Sequence, residues 1–157
     1  MDGNINYGQV KDTWKEIAFD EDNLTALFAG MTKVRDAVAG TMGPRGKTVI
    51  IHNAAMDSYE QTKDGVSVAK AVILQDTLEN IGAQLLKTVA KNVVKAAGDG
   101  TTTATVFAHA LVQECLNLIK NGVQVHTIVK RLDDLHEIMV SHLTTNIKYI
   151  NTDEEVK

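Results

Sequence analysis

The chain is poor in the residues that form cross-links, rigid bends and stacking faces. It has one cysteine, Cys115, so no disulfide can close within it and nothing in its thiol content calls for an oxidising compartment. Its single proline, Pro44, leaves the rest of the chain free to be helical. Aromatic residues make up 4% of 157, too few to build the stacking platforms that hold single-stranded nucleic acid. Positive charge is also scarce: 16 Lys and Arg against 20 Asp and Glu leave a net charge of −4 and a pI of about 5.7. Phosphate backbones are bound by concentrated cations, so nucleic acid is not an expected partner. No apolar run is long enough to span a bilayer, and the opening MDGNINYGQVKDTW lacks the basic start and apolar stretch of a secretory signal. The expectation is a cytoplasmic protein without a membrane partner.

Apolar residues are plentiful at 44%, enough for a packed core. From Asp22 to Ala39, the residues Leu24, Leu27, Phe28, Met31, Val34 and Val38 recur at helical spacing, with Asp20 and Asp22 available as caps. Three glycines and the proline between Gly40 and Gly46 then demand a loop. Lys47 to His52 is β-branched and predicts a short strand, which Tyr59 to Thr62 could pair as a second. After Lys63-Asp64-Gly65, a short helix is expected over Ser67 to Leu74. A longer one follows, with Leu78, Ile81, Leu85, Val89, Val93 and Ala96 as its inner face and Gly98 as its stop. A third long helix is expected from about Thr101 to Lys120, stopped by Asn121-Gly122. A fourth, from about His126 to Leu143, turns Ile128, Leu132, Leu135 and Met139 inward. The fold class is therefore mainly α with one small β-hairpin.

The most informative stretch is GDGTTTAT, Gly98 to Thr105. Threonines are poor interior helix residues, because β-branching restricts their rotamers and their hydroxyls compete for backbone hydrogen bonds. At a helix start they add donors to free N–H groups and a positive dipole end, and Gly98 and Gly100 let the backbone approach a ligand closely. Asp99 would repel a bare phosphate, yet a carboxylate beside phosphate oxygens is the arrangement that holds Mg²⁺. Residue types alone leave two readings open, a Mg–nucleotide site and a plain helix cap. Thr41-Met42-Gly43-Pro44 could wrap a phosphate but does not fit GxxxxGK[ST], so by itself it reads as a turn. Lys63-Asp64-Gly65 could supply a cation for phosphate and a carboxylate for an attacking water, and by itself it too reads as a surface turn.

Other constellations fail on spacing. Asp2, Asn4 and Asn6 begin like a calcium loop, but Tyr7 stands where its glycine belongs and Thr13 where its glutamate belongs. The five histidines form no HExxH and no zinc spacing with Cys115.

Taken in order, TMGPRGKTV, TKDGVSVAK, and ENIGAQLLKTVA leading into AAGDGTTTATV closely resemble the amino-terminal equatorial segment of group I chaperonins, the GroEL family, from about Lys15 to Leu143. The resemblance implies a GroEL-type equatorial ATP-binding domain, incomplete in this chain, over residues 15–144, after an amino-terminal extension at 1–14 and before the start of an intermediate domain at 145–157. It implies that Thr41, Met42, Gly43 and Pro44 contact nucleotide and that Lys63 reaches the phosphates. Asp99, Gly100, Thr101, Thr102 and Thr103 would hold phosphates and Mg²⁺, with Asp99 as the metal ligand, and Asp64 would support hydrolysis as the catalytic carboxylate. The implied function is that of an ATP-hydrolysing chaperonin subunit in a homo-oligomeric, heptameric ring, acting on unfolded client proteins with a co-chaperonin. A short non-catalytic relative that docks on other subunits is the alternative. The chain departs from the family at Met42, where leucine is usual, and between His52 and Gln61, where the hairpin is about one residue longer and its inter-subunit register is open.

Overall fold

The computed structural model describes residues 21–53 and 56–147, so the 1–14 extension, the cap at Asp20 and residues 148–157 lie outside the described part. The chain divides into two compact units between Val106 and Phe107.

In the first unit, α1 (Glu21–Ala39) is followed by β1 (Val49–Asn53) and β2 (Ser58–Thr62), an antiparallel hairpin in which Val49 opposes Thr62 and Asn53 opposes Ser58. Next come α2 (Gly65–Ala71), α3 (Thr77–Ala97) and the first turns of α4 (Thr101–Lys120). The expected helix over Ser67 to Leu74 begins two residues earlier and ends three earlier. Asp64 caps its start through the backbone N–H groups of Val66 and Ser67, and Val72 is already extended at its end. The hydrophobic centre is made by Met31, Val34 and Val38 of α1, Ala83, Leu86 and Ala90 of α3, and Val66, Val68 and Ala69 of α2. Asp76 caps α3 by accepting from the Glu79 N–H at 2.9 Å, and Gly98 ends it at φ 76° as the sequence predicts.

The inner face of α3 is not the one predicted from its large apolar residues. Gly82, Ala83, Leu86, Lys87 and Ala90 are buried, whereas Ile81 and Leu85 are 47% and 53% exposed. The reason is the closeness of α1 to α3. A Cβ on Gly30 would lie 1.8 Å from the Glu79 carbonyl oxygen, and one on Gly82 would lie 1.9 Å from that of Leu27. Backbones in contact leave room only for small residues at the crossing, so the stripe with the larger side chains turns away.

The second unit holds the remainder of α4 and α5 (Val125–Thr145). Gly122, at φ 85°, makes the stop between them, donating its N–H to the Ile119 carbonyl at 2.9 Å. Ile128 is buried as predicted, but Leu135 and Met139 are 48% and 45% exposed. Helical spacing puts these residues on one stripe, whose second half is only about half covered. The proposed boundary at 144/145 falls in the last turn of α5. No helix among the described residues is long and apolar enough to cross a membrane.

Candidate functional site

Three loops of the first unit come together at the Thr102 side chain, and each follows from local sequence. At the end of α1, Thr41 donates both its N–H (3.0 Å) and its hydroxyl (2.8 Å) to the Val38 carbonyl, and Met42 donates to Ala39, so the chain turns sharply. Gly43 sits at φ 73°, where a side chain is disfavoured. The loop then closes on itself: Lys47 donates to the Gly40 carbonyl at 2.8 Å, and a Cβ on Gly46 would meet the Thr41 carbonyl oxygen at 2.2 Å. The second loop is Lys63-Asp64-Gly65 at the start of α2. The third, Gly98-Asp99-Gly100, joins α3 to α4, with Gly100 at φ 80° and its carbonyl accepting the first helical bond, from Ala104 at 2.9 Å.

Thr102 is where the loops meet. Its hydroxyl lies 3.3 Å from that of Thr41, and its Oγ1 would lie 2.3 Å from a Cβ placed on Gly65. These contacts enclose an open cleft of about 270 Å³. Of the residues singled out in the sequence, Thr41, Met42, Gly43, Lys63, Asp64, Asp99, Gly100, Thr101, Thr102 and Thr103 all line it. Pro44 does not line it and faces solvent. Gly65 does line it and was missed as a site residue. The signal was its place directly after Asp64 at a helix start, where a glycine reads as turn chemistry unless the neighbouring Thr102 is known.

The donor set favours an anion. The first N–H groups of α4, at Thr101 to Thr103, have no acceptor within the helix, and they sit at its positive dipole end beside their own hydroxyls. Lys63 adds a cation at the rim. Asp99 is exposed, and one of its oxygens, Oδ1, accepts the Gly100 N–H at 2.6 Å. No cluster of three or more His, Cys, Asp or Glu able to hold a metal by itself occurs among the described residues. A divalent ion here would thus need oxygens from a ligand as well as Asp99, which is how Mg²⁺ is usually held.

Asp64 is more committed than its sequence suggests. Its Oδ1 accepts the Val66 N–H at 3.3 Å, and its Oδ2 accepts both the Ser67 N–H at 2.9 Å and the Ser67 hydroxyl at 2.8 Å. A carboxylate offers about four lone-pair sites, so room remains for about one further donor. Burial raises its pKa, but the Ser67 hydroxyl, the two backbone N–H groups and the charge of Lys70 outweigh that and hold it below its ordinary value of 3.8. A depressed folded pKa stabilises α2 at any pH above the unfolded value and loses that contribution as pH falls through the folded one. Amide protection at Val66 and Ser67 is therefore expected to stay flat from neutrality down to pH 3.8 and to fall only below it, as measured by hydrogen exchange. Asp64→Ala should cost α2 roughly 1 kcal/mol through the lost cap.

The contact at Gly65 gives a second expectation. Gly65→Ala puts a methyl group against Thr102 and should destabilise the unit by roughly 1–3 kcal/mol, the usual cost of overpacking. Thr102→Ala in the same chain removes the hydroxyl that is struck and should restore part of the loss in thermal melts. A G65A melt unchanged from wild type would show that the loops do not touch there.

Residues 34–157 match the TCP-1/cpn60 chaperonin family. A group III chaperonin crystallised in its open state is similar with a TM-score of 0.70 at 25% identity, over 83% of this chain and 26% of that one. The chaperonin gp146 of bacteriophage EL 2 (Pseudomonas aeruginosa), crystallised in the presence of ATP-BeFx, is similar with a TM-score of 0.58 at 28% identity, over 74% of this chain and 20% of that one. The chain thus spans about a quarter of the first protein and a fifth of the second.

Proposed function

Because this chain belongs to the TCP-1/cpn60 chaperonin family, we propose that its cleft binds Mg-ATP and that it serves as the nucleotide-binding part of a chaperonin subunit, in which ATP hydrolysis drives ring movements that assist protein folding. The observation that carries this reading is the meeting of three separate loops at Thr102 around one anion-favouring cleft. The presence of ATP-BeFx in the phage chaperonin crystals supports a nucleotide as the ligand.

Each residue then has a role set by its chemistry. The N–H groups and hydroxyls of Thr101, Thr102 and Thr103 hold phosphate oxygens, and Lys63 adds a movable positive charge. Met42 and Gly43 also line the cleft, Met42 offering an exposed apolar surface. Asp99 holds Mg²⁺, which when bound neutralises charge on the phosphates. Asp64 has room for about one more donor and is a weak base, so it orients an attacking water rather than taking its proton.

The domain layout follows the same proposal: an equatorial domain over 15–144, an extension before it and an intermediate domain beginning at 145. Assembly into a homo-oligomeric ring of seven, with client proteins and a co-chaperonin engaged through other parts of the subunit, belongs to it as well. A second reading, a non-catalytic relative that docks on other subunits, is favoured by the apolar residues left exposed on α3 and α5, including Ile81, Leu85, Ile138 and Leu143. Calorimetry and phosphate release separate the two readings. Mg-ATP binding with turnover in the assembled protein supports the first, and binding without turnover, or no binding in any assembly state, ends the first and leaves the second. Mass spectrometry adds an independent arm, since a natural polypeptide of 17.1 kDa excludes the full-subunit reading.

A further inference from the structure

A lysine inside the core of the first unit has no part in the roles above. Lys87 lies in the middle of α3, in the run Leu85-Leu86-Lys87-Thr88, and is only 3% exposed. Among the described residues its ammonium pairs with no carboxylate. It donates to the carbonyl of Val72 and, at 3.4 Å, to that of Lys70. Burial, together with the neighbouring charge of Lys91, pushes its pKa below the ordinary lysine value, so keeping it there has a cost. Surface positions on α3 would have held a lysine without that cost.

One of these carbonyls, that of Lys70, lies in the last turn of α2, and the other belongs to Val72, the residue that caps its end. A helix leaves its final carbonyls without internal partners, and at seven residues α2 is far shorter than an isolated helix needs to persist. Its own end supplies little: Val72 donates to Ala69 at 3.3 Å, and the chain then turns extended. A cation at a helix carboxy terminus also meets the negative end of the dipole. Asp64 ties the amino terminus of the same helix, through Val66 and Ser67. The short helix is therefore clamped at both ends by opposite charges, one contributed by α3.

We propose that Lys87 is a positioning residue for the cleft: by holding the carboxy terminus of α2 against α3, it sets where Asp64 and Gly65 stand at the other end of that helix. The two ends are only about two turns apart, so a shift at Val72 is transmitted to Asp64 almost undiminished. The contact of Gly65 with Thr102 leaves no slack to absorb it. The functional consequence rests on the Mg-ATP reading of the cleft.

The test compares Lys87→Met, which keeps the stem and removes the donors, with Lys87→Arg, which keeps charge and donors. Val34→Ala serves as a reference, since it opens the same core from α1 and removes no hydrogen bond to the ends of α2. Measurements are made in the intact chain well below each melting point. Hydrogen exchange at the Val66, Ser67 and Val68 amides is expected to rise roughly tenfold to a hundredfold in K87M, the scale of a lost charge-assisted hydrogen bond. V34A at matched global stability should leave these amides close to wild type, and K87R should recover most of the protection. The Mg-ATP Kd, by calorimetry, should rise by about the same factor in K87M and not in V34A. If K87M does not fold, Lys87→Gln, with a shorter neutral donor, takes its place in the same comparison. Equal α2 exchange in the lysine variant and in V34A overturns the proposal, as does a Kd that rises equally in both. If wild type binds no Mg-ATP, the nucleotide reading fails, and the exchange arm still decides whether Lys87 holds α2.

Discussion

Asp99→Ala is expected to remove the Mg²⁺ dependence of nucleotide binding and to slow ATP turnover in the assembled protein by about a thousandfold or more. The magnitude follows from the several kcal/mol by which a bound metal stabilises charge on a transferring phosphoryl group, each tenfold in rate corresponding to about 1.4 kcal/mol. Asp99 is an exposed carboxylate lining the cleft with Thr101, Thr102 and Thr103, and no cluster of three or more His, Cys, Asp or Glu among the described residues offers the ion a site of its own. One alternative has to be separated, because its Oδ1 also accepts the Gly100 N–H at 2.6 Å and could simply shape the turn. Asp99→Asn keeps an oxygen that can accept that bond while removing the charge. A metal role predicts that D99N is nearly as inactive as D99A. A turn role predicts that D99N behaves like wild type, and that outcome would falsify the assignment of Asp99 as the metal ligand.

The second large effect is structural. Gly30→Ala or Gly82→Ala is expected to destabilise the first unit by about 3 kcal/mol or more, the upper range for overpacking a close-packed core. The methyl groups would land 1.8 Å from the Glu79 carbonyl oxygen and 1.9 Å from that of Leu27, and the obstacle is helix backbone, which cannot rotate aside as a side-chain tip can. α1 and α3 must instead move apart, opening the layer where Val34, Val38 and Leu86 pack. On the scale of a unit this size, melting should fall by roughly 12–24 °C. The double variant should cost less than the sum of the singles, since one separation of the helices relieves both clashes. Because α1 leads into the Thr41 loop and α3 into the Gly98 loop, the same separation should weaken Mg-ATP binding. A G82A chain that melts like wild type would mean that the crossing is looser than described.

These two expectations differ in how far the sequence foreshadowed them. Asp99 was legible, because glycines, an aspartate and three threonines at a helix start make sense together only as a cap or as a phosphate and metal site. The hairpin, the stops at Gly98 and Gly122 and the extents of the long helices were legible as well, since glycine, proline and β-branched residues act on the backbone locally. The crossing of α1 and α3 was not. Counting large apolar residues pointed to Leu78, Ile81 and Leu85, whereas the buried seam is Gly82, Ala83, Leu86 and Ala90, and small residues give a weak signal in any hydrophobic pattern. Lys87 was hidden for a similar reason. A lysine in an apolar helix reads as solvent-facing, and only the nearby end of α2 explains its burial.

The sequence by itself therefore determined where the long helices begin and end, that the chain is mainly helical with one hairpin, and which chemistry each of the three loops can offer. Tertiary structure decided which stripe of each helix is covered, and that Thr102 brings the loops to one cleft. The division has a physical cause. Breaks, caps and turns depend on the dihedral preferences and hydrogen bonds of residues a few positions apart, so they are written in short stretches of chain. Burial of a stripe and closure of a cleft depend on how near two backbones can come, and that distance exists only once Gly30 meets Glu79 and Gly65 meets Thr102.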